Sequence, residues 1–139
     1  MVATLGKDLA SIRDRALLLL GFAGAMRRSE LVALNFGDLQ LTDDGFVVHI
    51  RRSKTDQTAK GRKVGIPYGK HAATCPVRAM LAWLAHSGID RGALFRKVNR
   101  HGHLEGMRLS DRAVANIVKD TCRAAGINPA KYSGHSLRA

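Results

Sequence analysis

Cysteines and long apolar runs are scarce in this sequence of 139 residues. The only two cysteines, Cys75 and Cys122, stand far apart and lack the spacing of metal ligands. We therefore expect neither a disulfide framework nor a zinc site, and we expect a reducing compartment. The longest apolar run, residues 16–25, is too short to span a bilayer, and the charges before it do not match a secretory signal. The simplest interpretation is a cytoplasmic protein with no membrane partner.

Acidic residues are also scarce. Asp and Glu number 11 against 23 Lys and Arg, which gives a formal net charge of +12. Because a compact domain with this excess repels itself, a polyanionic partner is favoured, and nucleic acid is the commonest one. A basic surface that serves only solubility is the alternative. The length and a hydrophobic content of 45% fit one domain with a single core.

Helical periodicity dominates the N-terminal quarter. Between residue 5 and about residue 25 the apolar positions recur at helical spacing, at Leu9, Ile12, Ala16, Leu19 and Leu20. A short second helix is expected over residues 29–34, with Asn35 and Gly37 as candidate terminators.

Two further helices are expected later in the chain. Pro76 suits a first helical turn and Gly88 suits a helix end. The apolar face between them is expected to consist of Val77, Met80, Leu81 and Leu84. Ser110 is expected to cap a helix that reaches about residue 125. Its apolar face is Val114, Ile117, Val118 and Cys122.

One short hairpin is predicted between these helical regions. Residues 46–50 are rich in β-branched and aromatic side chains, and a turn at residues 43–45 precedes them. Residues 64–67 would form the returning strand, which Pro67 ends, and residues 96–108 are expected to form a basic loop. The predicted fold is α+β, mainly α, with four or five helices around one small antiparallel sheet in a single domain over residues 1–139. The last residues resemble the start of another helix, so we expect a truncated domain.

Three local patterns carry candidate chemistry. In residues 24–31, Arg27 and Arg28 stand at the junction of two apolar helices. An arginine there could grip a phosphate in a bidentate manner, or both could be solvated beside an N-cap at Ser29. Near the end of the chain, His135 and Arg138 would share one helical face and could bind a phosphate oxygen, although this pattern alone is weak.

The predicted hairpin holds the third pattern. Residues 51–63 include six basic residues and one acid, a net +5. The basic residues are Arg51, Arg52, Lys54, Lys60, Arg62 and Lys63. This clustering favours a finger that contacts DNA over a merely solvated turn, but it does not show that any lysine is catalytic.

The three patterns together are more specific than any one of them. An arginine, then a hairpin lysine, then His-x-x-Arg, on a helix–sheet–helix background, resembles the catalytic domain of the tyrosine recombinase (phage integrase) family. The resemblance covers nearly the whole chain. Its most specific parts are residues 26–31, 52–56 and 135–139.

The resemblance implies a role for each matching residue. Arg27 matches the first catalytic arginine, and Glu30 matches an acidic position that supports the active site, although helix capping is an alternative for Glu30. Arg28 falls on a variable position and is expected at the surface or on DNA. Lys54 matches the hairpin lysine, with Lys60 and Lys63 as rivals if the register differs. The second catalytic box matches His135 and Arg138.

The resemblance also implies a reaction. A tyrosine hydroxyl attacks a DNA phosphodiester and holds the DNA as a 3′-phosphotyrosine, while Arg27 and Arg138 brace the non-bridging oxygens. Lys54 would protonate the departing 5′-oxygen, and His135 would assist proton transfer at the nucleophile. No metal or other cofactor is implied. The implied partner is double-stranded DNA in a bacterial or phage context, and family members act as tetramers on two duplexes.

The sequence departs from the family in lacking a matching nucleophile. Its only tyrosines, Tyr68 and Tyr132, both precede the His135 box. The family's N-terminal DNA-clamping domain and Tyr-bearing C-terminal helices are also unmatched. We therefore expect a chain that is inactive alone and that self-associates through apolar surface. Two alternatives stay open: a non-catalytic DNA-binding or regulatory module on the same scaffold, and a type IB topoisomerase.

Overall fold

A computed structural model describes residues 8–50 and 61–126 of the chain. Its four α-helices are α1 (Leu9–Gly24), α2 (Arg28–Ala33), α3 (Pro76–Ser87) and α4 (Asp111–Ala124). Its five strands are β1 (Leu39–Thr42), β2 (Gly45–Ile50), β3 (Arg62–Pro67), β4 (Arg96–Val98) and β5 (Leu104–Arg108). The α+β fold, mainly α, is confirmed. Within the described ranges no helix is both long enough and apolar enough to cross a membrane.

Helix α1 forms the centre of the core. It begins four residues later than predicted, because the Asp8 side chain accepts hydrogen bonds from the backbone N–H and the hydroxyl of Ser11 and so caps the helix. Leu17, Leu18 and Leu20 are fully buried, and α1 packs chiefly against α3. The buried face of the predicted helix is therefore wider than the spacing of its apolar residues indicated.

Helix α3 matches its predicted bounds but not its predicted face. Pro76 occupies the first turn, and Gly88 ends the helix in the left-handed conformation with φ 71°. Trp83 is fully buried, whereas Leu81 is 37% exposed, so placing Leu81 on the buried face was wrong. The helix is rotated so that the indole Nε1–H of Trp83 donates to the carbonyl of Leu94 at 2.9 Å.

The predicted hairpin is confirmed and gains a third strand. Strands β1, β2 and β3 form an antiparallel sheet in that order, with Ile50 opposite Arg62. The buried side chains of β2 are Phe46, Val48 and Ile50. In β3 the less exposed positions are Arg62, Val64 and Ile66, and the exposed ones are Lys63, Gly65 and Pro67. Arg62 therefore faces the helices while Lys63 faces away from them.

The prediction of a basic loop over residues 96–108 was wrong. Strands β4 and β5 pair there as a second antiparallel sheet, with Val98 opposite Leu104. The turn is closed by Asn99, whose side-chain oxygen accepts the backbone N–H groups of His101 and His103 at 2.9 and 3.0 Å. The sequence does not predict these strands, because the segment is highly charged and only one half-buried apolar pair, Val98 and Leu104, marks their inner face.

Helix α4 follows its prediction closely. The Ser110 hydroxyl accepts the backbone N–H of Ala113 at 3.1 Å and caps the helix. All four residues of the predicted apolar face are buried: Val114, Ile117, Val118 and Cys122. Packing against α4 helps to position α2, which is itself too short to be stable alone.

Trp83→Phe should lower the free energy of unfolding by about 1 to 3 kcal/mol, because the buried carbonyl of Leu94 would lose its partner. Urea unfolding followed by far-UV circular dichroism measures the change without relying on tryptophan fluorescence. Leu81→Ala, on the same helix but exposed, is the control and should change stability by about 0.5 kcal/mol or less. An equal loss in both variants would contradict the buried hydrogen bond.

Candidate functional site

The candidate site is built around Arg27, at the junction of α1 and α2. The C-cap of α1 is Ala25, a non-glycine residue in the left-handed conformation with φ 49°. Met26 is fully buried beside it, and Arg27 then adopts an extended N-cap conformation before the first residue of α2. The Arg27 backbone is thus fixed on both sides, and its half-buried side chain projects from a defined point. Left-handed non-glycine residues tend to occur at functional sites.

Glu30 fixes the Arg27 backbone from within the protein. Its side chain is only 2% exposed, and its Oε1 accepts the backbone N–H of Arg27 at 2.8 Å. This is one half of a capping box, since an arginine side chain has no acceptor with which to complete the other half. Capping and support of the site are therefore not exclusive roles for Glu30, because the same carboxylate caps α2 and adjoins Arg27.

Arg62 supplies the charge that balances Glu30. Its Nη1 donates to Oε2 of Glu30 at 2.7 Å, and its Nη2 donates to Oε1 at 3.3 Å. The carboxylate therefore accepts three hydrogen bonds, from the backbone of one residue and the guanidinium of another. Because Arg62 opens β3 and Glu30 lies in the first turn of α2, this ion pair joins the sheet to the α1–α2 junction.

The pKa of Glu30 is lowered from its ordinary value. Burial is the largest single influence and raises it, because a charged carboxylate loses its hydration. The hydrogen bond from Arg62, the backbone N–H of Arg27 and the positive charges of both arginines together outweigh burial. Glu30 is therefore ionised at neutral pH, and its charge adjoins the base of the Arg27 side chain.

Two other arginines hold α2 from outside this cluster. Nη1 of Arg108 donates to the carbonyls of Val32 and Leu34 at 2.7 and 2.9 Å, and its Nη2 donates to the Asn35 side chain. These bonds satisfy acceptors at the C-terminal end of α2. Arg28, at the other end, lies 3.9 Å from Asp111 of α4 in a partly exposed pair, which contributes little to stability.

The structure brings together three of the predicted residues, Arg27, Glu30 and Arg62. Lys63 is also described, but it lies exposed on the opposite face of the sheet from Arg62. The remaining predicted residues lie outside the described ranges, and their roles stay predictions: Arg51, Arg52, Lys54, Lys60, His135 and Arg138.

Sequence reasoning assigned Arg62 to DNA and missed its pairing with Glu30. The sequence does contain an indication of this pairing. Arg62 alternates with Val64 and Ile66 along β3 and therefore lies on their inward face. Arg108 was missed for a related reason, since its whole segment was interpreted as a loop. The described residues also contain no cluster of three or more His, Cys, Asp or Glu side chains that would hold a metal.

Comparison with known proteins identifies the family of this chain. The model of the phage integrase family matches residues 1–139. The chain belongs to the phage integrase family. It is 45% identical over 132 residues to an "Integrase/recombinase xerD homolog" of Selenomonas ruminantium, with 95% of the chain and 39% of that protein covered.

More distant relatives carry a related name. The chain is 33% identical over 136 residues to "Tyrosine recombinase XerC" of Pelotomaculum thermopropionicum, covering 95% of the chain and 40% of that protein. It is 31% identical over 126 residues to the protein of the same name from Thermodesulfovibrio yellowstonii, covering 91% and 38%. The chain thus spans about two-fifths of the length of these relatives.

Arg62→Met should leave Glu30 buried and unpaired, and should lower the free energy of unfolding by about 3 kcal/mol at neutral pH. The lowered pKa of Glu30 contributes stability above about pH 4.5, and this contribution is lost as the pH falls through the native pKa. In the variant, the hydrogen bond and the charge of Arg62 no longer offset burial, so the pKa of Glu30 should rise and the deficit should shrink towards about pH 4.

Urea unfolding at several pH values measures this deficit. The matched control is Lys63→Met, which removes the same charge from the exposed face of the same strand and should change stability by about 0.5 kcal/mol or less. A deficit of equal size in the two variants, or one that does not depend on pH, would show that Glu30 does not need Arg62.

Proposed function

We propose that this domain grips a phosphate of duplex DNA with Arg27, and that the protein to which it belongs breaks and rejoins DNA through a 3′-phosphotyrosine. The observation that carries the proposal is the triad of Arg27, Glu30 and Arg62. One buried carboxylate holds the Arg27 backbone and is paired with Arg62, near the end of the basic segment that contains Lys54.

Arg27 has the properties of a phosphate ligand. Its side chain is half-buried, and within the described residues its guanidinium has no hydrogen-bond or ion-pair partner. A guanidinium donates two parallel hydrogen bonds to a phosphate, and a fixed backbone reduces the entropy lost on binding. Charge that develops on the non-bridging oxygens would be stabilised most by such a pre-positioned cation.

The geometry of the sheet favours Lys54 over one of its rivals as the leaving-group acid. Lys63 lies on the face of β3 that points away from Glu30 and Arg62, so its ammonium is directed away from Arg27. Lys54 and Lys60 belong to the segment whose two ends are held together by the pairing of Ile50 with Arg62. We assign protonation of the 5′-oxygen to Lys54 on the family resemblance, with Lys60 as the remaining alternative.

The other roles rest on the resemblance alone. Arg138 would brace the phosphate opposite Arg27, and His135 would assist proton transfer at the nucleophile. The names of the relatives favour a recombinase over a topoisomerase. We also propose that the whole protein acts in the bacterial cytoplasm as a tetramer on two duplexes, with Arg28, Arg51 and Arg52 among its DNA contacts.

Arg27→Ala should weaken binding of this chain to a 30-base-pair duplex by about tenfold, and should reduce the slope of log affinity against log salt by about one, because one phosphate contact is lost. Fluorescence anisotropy at several salt concentrations measures both quantities. Arg78→Ala removes the same charge from α3 and is the control for a general electrostatic loss. Equal effects of the two substitutions would remove the support for a specific phosphate contact.

This chain is expected to form no covalent adduct with a nicked suicide duplex, because neither tyrosine matches the nucleophile. Tyr68 is 46% exposed and lies at the far end of β3, about 20 Å along the strand from Arg62 at 3.3 Å per residue. Denaturing electrophoresis of the reaction detects an adduct. An adduct that disappears in Tyr68→Phe or Tyr132→Phe would overturn the proposed assignment.

A further inference from the structure

We propose that Arg62 is a positioning residue that sets the phosphate affinity of Arg27 through Glu30, although it touches no phosphate itself. The inference deepens the proposed function and rests on it. It also reassigns Arg62, whose place in the basic cluster of residues 51–63 indicated a DNA contact.

The first step is that the Arg62 guanidinium already has a partner within the protein. Both of its terminal nitrogens donate to Glu30, at 2.7 and 3.3 Å, so its fork is already directed at a carboxylate. Releasing Arg62 to a DNA phosphate would leave Glu30 charged, with its side chain 2% exposed, and without its only ion-pair partner in the described chain. Since an unpaired buried charge is far more costly than a surface contact is favourable, Arg62 stays on Glu30.

The second step is the path from Arg62 to Arg27. Glu30 uses Oε1 to accept both Nη2 of Arg62 and the backbone N–H of Arg27. The position of that oxygen therefore determines the distance between the start of β3 and the N-cap of α2. Helix α2 has only six residues, so it has little internal rigidity with which to hold Arg27 by itself.

The third step is the charge that Arg27 experiences. Glu30 is ionised, and its carboxylate attracts the Arg27 guanidinium as well as that of Arg62. With Arg62 in place, the carboxylate is already neutralised, and the charge of Arg27 is available to an external anion. Without Arg62, Glu30 becomes the nearest anion to Arg27 and competes with phosphate for it. Loss of Arg62 should therefore impair Arg27 specifically.

A double-mutant cycle on DNA affinity tests this coupling. Arg27→Ala in the otherwise unchanged chain is expected to weaken binding to the 30-base-pair duplex about tenfold. In the Arg62→Met background the same substitution should weaken binding less than about twofold, because Arg27 no longer contacts phosphate there. In the Lys63→Met background, which loses the same charge from the neighbouring residue, the full effect of about tenfold should persist.

Two further variants separate positioning from folding and from direct contact. Arg62→Lys keeps a charge beside Glu30 and should restore most of the effect of Arg27→Ala. The double variant Glu30→Gln with Arg62→Met contains no unpaired buried charge and keeps an oxygen for the Arg27 N–H, so it is expected to fold. Since no carboxylate then competes for Arg27, the effect of Arg27→Ala should return in part, to about threefold or more.

The outcomes distinguish the two proposals. If Arg27→Ala weakens binding about tenfold in every background, Arg62 does not position Arg27, and the proposed function stands without it. If Arg27→Ala has no effect in the unchanged chain, the phosphate role of Arg27 fails, and the positioning role fails with it. If Arg62→Met lowers the salt slope by about one while Arg27→Ala keeps its full effect, Arg62 contacts DNA directly and the inference is overturned.

Discussion

The negative charge of a buried carboxylate must be balanced by a positive charge beside it. Glu30 is such a carboxylate, and the structure around it meets this requirement. Its partners come from two other sequence regions, the α1–α2 junction and the start of β3. Once Glu30 is buried, Arg62 must reach it, and the start of β3 must therefore lie near the short helix. The position of Arg27 follows from this arrangement, because the same carboxylate holds its backbone.

Several of the arginines that give the chain its positive charge form contacts within the protein, and others remain available to a partner. Arg13 is largely buried, where it pairs with Asp14 and donates to the carbonyl of Arg96. Arg62 and Arg108 neutralise a buried charge and satisfy the end of a helix, respectively. A net charge of +12 therefore overstates the number of cations available to DNA. The Arg27 guanidinium makes none of these internal contacts and is therefore left for the proposed phosphate contact.

Much of the fold could be predicted from the sequence, because its helices and the β2–β3 hairpin carry clear periodicity and end signals. Ser110 and Gly88, for example, cap helices as their residue types predict. Strands β4 and β5 were missed, since one half-buried pair gives almost no alternation amid charged residues. The candidate site was recognised as a set of residue types, but the pairing of Glu30 with Arg62 is a contact across 32 positions that no local pattern encodes. The clustering of basic residues around Arg62 instead predicted a contact with DNA.

The most direct test of this account is a crystal structure of the chain bound to a DNA duplex. The account predicts that guanidinium nitrogens of Arg27 lie about 3 Å from a phosphate oxygen, while Arg62 remains paired with Glu30. A complex in which Arg62 has left Glu30 to contact the DNA, with Arg27 facing solvent, would contradict it.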